Sequence, residues 1–268
     1  MPVVHSSFYR FTPMADPTGF AEWLRARGAA LGLGGVVLVA EEGLSAAIAG
    51  EAAAVQAIEA ELQAQPGFEG LHVKHNACER SPFSRLKVSV KREIVAFGVP
   101  GVSGLGGAEA TDTHVSPARW RELLADPQTV VLDNRNSFEF RLGRFRGAID
   151  PGVAHFRDFP AYVHAHRDAW QGKTVAMYCT GGIRCEKTAA WMQAQGLQVA
   201  QLDGGILNYF EAFPADAAAD WQGECYVFDK RIAIDAAGRE TGTTAEQVFT
   251  DPADAWRLAR ARRLDPET

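Results

Sequence analysis

The sequence contains few cysteines, and none of them form the pairs that usually bind a structural zinc ion. Only four cysteines occur among 268 residues, and no two have the CxxC spacing. This pattern argues against a zinc site and, in a reducing compartment, against a disulfide framework. The histidines do not cluster at ligand spacings either, so we predict no metal site. The cysteines are Cys78, Cys179, Cys185 and Cys225.

Long hydrophobic runs and an excess of positive charge are also absent. No apolar run approaches the ~20 residues that a membrane-spanning helix needs. The first residues, Met1 to Ser7, lack the charged and apolar regions of a signal peptide. We therefore expect a cytoplasmic protein with no membrane partner. The formal net charge of −6 gives no global indication of nucleic-acid binding, so such a function would require a local basic patch.

One cysteine stands where a strand is predicted to end. The apolar run from Val175 to Tyr178 is typical of a buried strand in a parallel sheet. The segment from Cys185 to Gln195 has a helical composition without glycine or proline. Cys179 is therefore predicted at the carboxyl end of a strand, where open α/β sheets bind their ligands.

The residues that follow Cys179 favour a reactive thiolate. Backbone N–H groups of the loop and of the next helix, together with the charge of Arg184, would stabilise an ionised sulfur and lower its pKa. A buried structural cysteine is the alternative, but it does not account for two glycines and an arginine at this place. The predicted active-site loop consists of Thr180, Gly181, Gly182, Ile183 and Arg184.

A second cysteine follows closely along the chain. Cys185 is expected on the first turn of the helix, where it could resolve an oxidised or persulfidic Cys179. A small buried helix residue is the more frequent role of such a cysteine. Cys185 is therefore included as a supporting residue with both roles open.

The first part of the chain predicts a ferredoxin-like α+β domain over residues 1–98. Its segments alternate in the order strand, helix, strand, strand, helix, strand, which is the split βαβ pattern. The predicted strands are 3–11, 36–40, 46–49 and 71–76, and the predicted helices are 16–31 and 51–63. A glycine-rich stretch within 99–112 is the predicted linker.

Positive charge is concentrated in the segment 80–92 of this otherwise acidic chain. In an extended segment Arg85, Lys87 and Lys91 fall on one side, and Arg92 adds a fourth charge. These four residues are the candidates for contact with RNA phosphates. A solvated strand face with scattered cations is an equally good interpretation of the same pattern.

Residues 113–218 predict a doubly wound parallel sheet with helices on both faces, because strands and helices alternate repeatedly. The predicted helices include one that Ser116 caps and that runs from Pro117 to about Ala125, and one over 158–170. A buried strand over 129–135 places Asp133 and Arg135 at its carboxyl end, and these two residues could border the same crevice as Cys179. Their alternative role is a structural ion pair that steadies the loop. Residues 219–268 form a predicted C-terminal tail, whose apolar stretch could pack on either domain.

Several segments resemble one family, the rhodanese-domain tRNA uridine hydroxylases. Four residues separate Cys179 from Arg184, as in the active loop of rhodanese domains, whereas tyrosine phosphatases have a longer loop that holds a phosphate. The short loop suits a persulfide sulfur or a similarly small group. The resemblance is carried by residues 84–95, 131–139, 156–160, 179–187, 202–207 and 221–229. One departure is Glu42–Ala47, where family members commonly have Glu-Gly-Ile-Asn-Gly-Thr.

The resemblance implies an oxygen-dependent enzyme that converts the wobble uridine, position 34 of tRNA, to 5-hydroxyuridine. It also implies that 113–218 is a rhodanese-like catalytic domain and that Cys179 is the catalytic cysteine. Molecular oxygen is then the co-substrate and the anticodon stem-loop of tRNA the partner. No flavin, haem or iron motif is visible in the sequence, so no further cofactor is predicted.

Two other classes of function compete with this one. A thiosulfate or persulfide sulfurtransferase would need only the second domain and would leave the first unexplained. A non-catalytic binding module would tolerate replacement of Cys179, and the intact loop argues against it.

Overall fold

The computed structural model describes residues 3–106 and 111–264, with no side chains for 111, 263 and 264. The described chain forms two compact units. The first contains residues 3–96 and 103–105, and the second contains residues 97–102, 106 and 111–264. The predicted linker 99–112 is thus divided between the two units, and its residues 107–110 lie outside the described part.

The first unit is built on a sheet of five strands with two helices. The strand order is β4-β1-β3-β2-β5, in which β5 runs parallel to β2 and the other neighbours are antiparallel. The predicted ferredoxin-like arrangement is therefore confirmed, and β5 extends it. The elements are β1 Val3–Phe11, α1 Pro17–Ala30, β2 Gly34–Ala40, β3 Gly43–Glu51, α2 Ala52–Gln63, β4 Lys74–Cys78 and β5 Leu86–Val90.

The fourth strand begins three residues later than the sequence pattern predicts. Leu71 is buried in the core of the unit, but its N–H donates to the carbonyl of Phe68 at 3.2 Å. Leu71 is therefore a buried residue of the turn that follows α2 and does not belong to a strand. Pairing with β1 starts only at Lys74, opposite Ser7.

Glu42, in the turn that departs from the family pattern, has a structural role. Its buried carboxylate accepts hydrogen bonds from the N–H of Ile94 at 3.0 Å and of Gly104 at 3.1 Å. The hydroxyl of Ser103 donates to the same carboxylate at 3.4 Å. A buried carboxylate with several donors ties the end of the first unit to the β2–β3 turn.

The second unit contains a four-stranded parallel sheet in the order β6-β10-β9-β7. Alternate residues of β9 point to opposite faces. Ala176 and Tyr178 pack with residues of α3 and α7, whereas the sulfur of Met177 contacts Thr188 of α6. Helices on both faces confirm the predicted doubly wound arrangement. The elements are β6 His114–Val115, α3 Pro117–Ala125, β7 Thr129–Asp133, α4 Ser137–Leu142, β8 Gly143–Phe145, α5 Phe159–His166, β9 Thr174–Tyr178, α6 Ile183–Ala194, β10 Gln198–Leu202, α7 Gly205–Ala212 and α8 Ala217–Asp220.

The segment from 219 onwards packs on the second unit. Trp221 is buried, and its ring makes an edge contact with Phe145 at a centroid distance of 5.1 Å. Cys225 and Ile234 belong to the same hydrophobic core as Trp120 of α3. The elements are β11 Trp221–Gly223, which pairs with β8, β12 Cys225–Tyr226, β13 Ala233–Ile234, α9 Ala245–Val248 and α10 Ala255–Leu264. This part of the chain therefore completes the core.

Across the described ranges 3–106 and 111–264, no helix combines the length and the apolar character needed to cross a membrane.

Candidate functional site

The loop after β9 places Cys179 between a strand and a helix. Gly182 adopts φ = 100°, a left-handed conformation that glycine tolerates without a steric penalty, and α6 begins directly after it. The helix therefore starts at Ile183, two residues earlier than the sequence predicts. As a result Arg184 and Cys185 both lie in its first turn. The loop residues Thr180, Gly181 and Ile183 are partly exposed.

The sulfur of Cys179 is buried and surrounded by hydrogen-bond donors. Burial alone would raise the pKa of this thiol, but the opposing effects are stronger and lower it to about 5. In order of size they are a hydrogen bond from Cys185, the positive charge of Arg184, and the N–H groups of Cys185 and Arg184. The N–H of Gly182 also points at the sulfur, at 3.1 Å. Cys179 is therefore a thiolate at neutral pH, as nucleophilic cysteines require.

Cys185 is held in a donor role by its surroundings. Burial and the neighbouring Cys179 thiolate raise the pKa of the Cys185 thiol well above its usual range. The amide of Asn134 donates to the Cys185 sulfur at 3.8 Å and to the hydroxyl of Thr188 at 2.9 Å. A thiol that stays protonated can donate its hydrogen to the thiolate. Sequence reasoning did not identify Asn134, because a lone asparagine after a strand carries no chemical signal.

Arg184 is positioned by a buried carboxylate. Its two terminal nitrogens donate to the two carboxylate oxygens of Glu139, at 2.8 and 2.7 Å. Glu139 also accepts from the N–H of Asn136 at 3.1 Å. Burial opposes ionisation of Glu139, but the charge and hydrogen bonds of Arg184, the charge of Arg135 and the N–H of Asn136 together lower the pKa of this carboxyl. The planar, bidentate pair fixes the guanidinium direction, so Glu139 is a positioning residue that sequence reasoning missed.

Asp133 and Arg135 form a second buried ion pair. The Arg135 Nη2 lies 2.6 Å from an Asp133 oxygen and 2.6 Å from the carbonyl oxygen of Gly143. Burial raises the pKa of Asp133 even though Arg135 opposes this change. The Arg135 guanidinium also lies 5.5 Å from the ring of Tyr178 and 5.4 Å from that of Trp221. These contacts favour the structural alternative, in which the pair ties the end of β7 to the core.

A glycine pair at the start of α7 supports the cysteine loop from behind. The N–H of Ile206 donates to the carbonyl of Cys179 at 3.0 Å, and that of Leu207 donates to the carbonyl of Thr180 at 3.1 Å. Gly205 has φ = +66°, and a Cβ atom there would lie 2.4 Å from the Cys179 carbonyl oxygen. Only glycine permits this close approach, which fixes the distance between α7 and the cysteine loop.

The four predicted RNA-binding residues lie in the first unit, on or beside β5. Arg85, Lys87, Lys91 and Arg92 are exposed, while Val88 between them is buried against α1 and α2. The N–H of Lys91 donates to the carbonyl of Val39, so the extended conformation continues past the strand. Arg85, Lys87 and Lys91 therefore share one side of an extended segment. Within the described ranges, no ion pair involves any of the four side chains.

No group of three or more His, Cys, Asp or Glu side chains with the geometry of a metal site occurs among the described residues.

Comparisons with known proteins cover both units. Residues 3–94 match the model of the UPF0176 acylphosphatase-like domain, and residues 116–212 match that of the rhodanese-like domain. A protein from Synechococcus elongatus named tRNA uridine(34) hydroxylase is 47% identical over 236 residues, which are 88% of this chain and 86% of the relative. A Jannaschia protein with the same name is 42% identical, covering 86% of this chain and 75% of its own length. One from Caulobacter vibrioides is 44% identical, with 85% and 74% covered.

Proposed function

Because this chain belongs to the tRNA uridine(34) hydroxylase family, we propose that it converts the uridine at position 34 of tRNA to 5-hydroxyuridine. It is a tRNA-modifying enzyme and an oxidoreductase. The observation that carries this conclusion is the match to curated relatives along both units at 41–47% identity. The family expected from the sequence is thereby confirmed.

We assign the catalytic role to Cys179. Its support is the geometry of the loop: a sulfur with a pKa of about 5 accepts hydrogen bonds from Gly182 and Cys185 at the end of a parallel strand. A thiolate can add to C6 of uracil, which makes C5 electron-rich, or it can carry the oxygen or sulfur species that reacts with C5. Trapping with 5-fluorouridine RNA separates the two, because only addition to C6 leaves a covalent adduct on Cys179.

The co-substrate in this proposal is molecular oxygen. Inserting one oxygen atom of O₂ into the C5–H bond releases the other as water and consumes two electrons and two protons. A two-electron reductant is therefore a co-reactant.

The anticodon stem-loop is the part of tRNA that we expect the enzyme to contact, and the exposed cations Arg85, Lys87, Lys91 and Arg92 are its proposed phosphate contacts. Their support is exposure, a shared side of one extended segment for three of them, and the absence of ion pairs within the described chain. Such contacts bind RNA regardless of sequence. With tRNA as the substrate, we propose the cytoplasm as the location of the enzyme.

The sulfurtransferase alternative is not favoured. It requires only the unit with the cysteine loop, whereas the family matches extend over residues 3–94 as well. The relatives reported above carry the hydroxylase name over most of their length.

Mass spectrometry of tRNA nucleosides tests the proposed function. We expect 5-hydroxyuridine and its derivatives at position 34 to disappear both in cells without this gene and in cells with only Cys179→Ala. Cys225→Ala is the matched control, because Cys225 is also a buried cysteine of the second unit, and it should keep the modification. Unchanged modification in the deletion strain would refute the proposal, and the transfer of sulfur from thiosulfate would then be measured.

A further inference from the structure

A short hairpin in the second unit displays an aromatic ring in solvent. Phe228, in the turn between β12 and β13, is 59% exposed, the largest value for a large hydrophobic side chain in the described chain. Exposing such a ring forfeits the free energy that its burial would give. The hairpin lies outside both ranges matched by the family models, so its role is unassigned by them.

The turn holds Phe228 in a fixed position. The N–H of Val227 donates to the carbonyl of Ile232 at 2.9 Å, and that of Ile232 to the carbonyl of Asp229 at 3.1 Å. A bidentate ion pair between the buried side chains of Asp229 and Arg231 lies inside the turn. The ring of Tyr226 contacts Phe228 edge to face at 4.9 Å. The exposed ring is therefore part of a rigid turn.

This rigidity is accompanied by backbone strain. Ile232 has φ = 59°, and it is the only residue other than glycine with a positive φ in the described chain. For a β-branched side chain this conformation is an outlier. Strain of this kind persists only where the surrounding structure enforces it, and it clusters at ligand-binding sites.

The hairpin places the ring next to Arg184, which follows the cysteine loop. The guanidinium of Arg184 lies 5.9 Å from the centroid of the Phe228 ring, and the charge of the same guanidinium lowers the pKa of Cys179. Both terminal nitrogens of Arg184 already donate a hydrogen bond to the carboxylate of Glu139. Next to Arg184, the surface therefore offers an exposed aromatic ring and a cation that is paired with a carboxylate.

We propose that Phe228 is the platform on which a base of the anticodon loop stacks when the wobble uridine enters the cysteine loop. The inference rests on the proposed function and adds a binding residue to it. Bases of a single-stranded loop are recognised by stacking on aromatic rings, which is independent of the phosphate charge. A rigid ring next to Arg184, in the first turn after the cysteine loop, meets this requirement, since it orders the base before the chemistry begins.

Binding of an anticodon stem-loop RNA, followed by fluorescence anisotropy, tests the proposal. Phe228→Ala should weaken binding about 5- to 150-fold, the range for loss of one stacked base. The dependence of affinity on salt should stay as in the wild type, because no phosphate contact is lost. Phe228→Trp should bind at least as tightly as the wild type, and Phe228→Leu, which keeps apolar volume without a ring, should resemble Phe228→Ala.

The matched control is Trp256→Ala, since Trp256 is another exposed aromatic side chain of the second unit, at 43%. It should leave RNA affinity unchanged. An RNA without a base at one loop position identifies the stacked nucleotide, because that loss and Phe228→Ala should not be additive. Additive losses at every loop position would overturn the proposal, because no base would then be coupled to the ring.

Three other results would contradict the proposal. The first is wild-type RNA affinity in Phe228→Ala, and the second is an equal loss of affinity in Phe228→Ala and Phe228→Trp. The third is a Phe228→Ala protein that sediments with a different oligomeric state while its RNA affinity is unchanged. Failure of the proposed function looks different: the wild type itself would then leave wobble uridine unmodified in the nucleoside analysis.

Discussion

At the scale of single residues, the site depends on two cysteines in opposite protonation states. Burial disfavours the charged form of both thiols. Cys179 is nevertheless ionised, because it accepts the hydrogen bond and feels the charge of Arg184, while Cys185 remains protonated and donates. Burial, which would keep an isolated cysteine protonated and unreactive, thus keeps Cys185 protonated as a hydrogen-bond donor.

This arrangement predicts the pH profile of Cys179. Only the thiolate reacts with a small alkylating agent such as iodoacetamide, so the alkylation rate should be half-maximal near pH 5, fall about tenfold per unit below it, and level off above it. Cys185→Ala removes a donor to the thiolate and should move the midpoint to higher pH. Peptide mass spectrometry, with Cys225→Ala as the control, assigns the rate to Cys179. A wild-type midpoint near 8.5, the value of an unperturbed thiol, would contradict the thiolate assignment.

The sequence indicated this chemistry only in part. A glycine loop with an arginine after a cysteine is enough to predict a lowered pKa, and Arg184 does act on the sulfur through its charge. The partner of Arg184 could not be predicted, because Glu139 lies 45 residues earlier in a different helix. The contact of Asn134 with Cys185 could not be predicted either, because it forms only when β7 and α6 pack together.

At the scale of elements, the approach of α7 to the cysteine loop depends on one glycine. The Gly205 position combines a positive φ with backbone contact, whereas Gly147 has a similar φ of 75° and open space around it, where a Cβ atom would meet nothing within 4 Å. A substitution at Gly147 therefore tests the cost of a positive φ alone, whereas a substitution at Gly205 tests that cost together with a steric conflict. The two residues after Gly205, Ile206 and Leu207, donate hydrogen bonds to the carbonyls of Cys179 and Thr180.

We expect Gly147→Ala to lower the free energy of unfolding by about 1–2 kcal/mol, the cost of a left-handed non-glycine residue. Gly205→Ala should cost about 1–3 kcal/mol more, because the new methyl group conflicts with the Cys179 carbonyl. Urea denaturation measures both values, and the alkylation midpoint reports whether the loop has moved. Equal losses of stability in the two variants would show that the contact with the carbonyl has no energetic weight.

Element types were easier to predict than element ends. The helix over Pro117–Ala125 was predicted with its correct bounds, since Ser116 caps it and Pro117 opens it. The predicted helix 158–170 instead consists of α5 between two 3₁₀ segments, Phe156–Asp158 and Arg167–Trp170. Apolar periodicity does not distinguish these helix types, because both bury one side of a short segment.

At the scale of the whole molecule, the reactive sulfur and the basic segment lie in different units. Alternating strands and helices were sufficient to predict both units. The segment 219–264 was not predictable, because β11, β12 and β13 have two or three residues each and show no periodicity. Its place in the second unit is set by burial of Trp221 and by pairing of β11 with β8, far away along the chain.

The basic segment leads to a prediction about RNA affinity. Lys87→Gln with Lys91→Gln should weaken tRNA binding and reduce the slope of log affinity against log salt by about 1–2, since each lost phosphate contact contributes about 0.7–0.9. Lys87→Arg with Lys91→Arg preserves both charges and serves as the control. Equal affinity and slope in the glutamine variant would remove these lysines from the RNA-binding surface.

The position of these cations at the end of the sheet has another consequence. In the order β4-β1-β3-β2-β5, the outer side of β5 has no neighbouring strand among the described residues, and Val90 at its end is 41% exposed. Such an edge can pair with the same edge of a second molecule, and lysines on it are a common protection against aggregation. We therefore expect Lys87 and its neighbours to oppose edge-to-edge pairing in concentrated solutions of the protein, whether or not RNA is present.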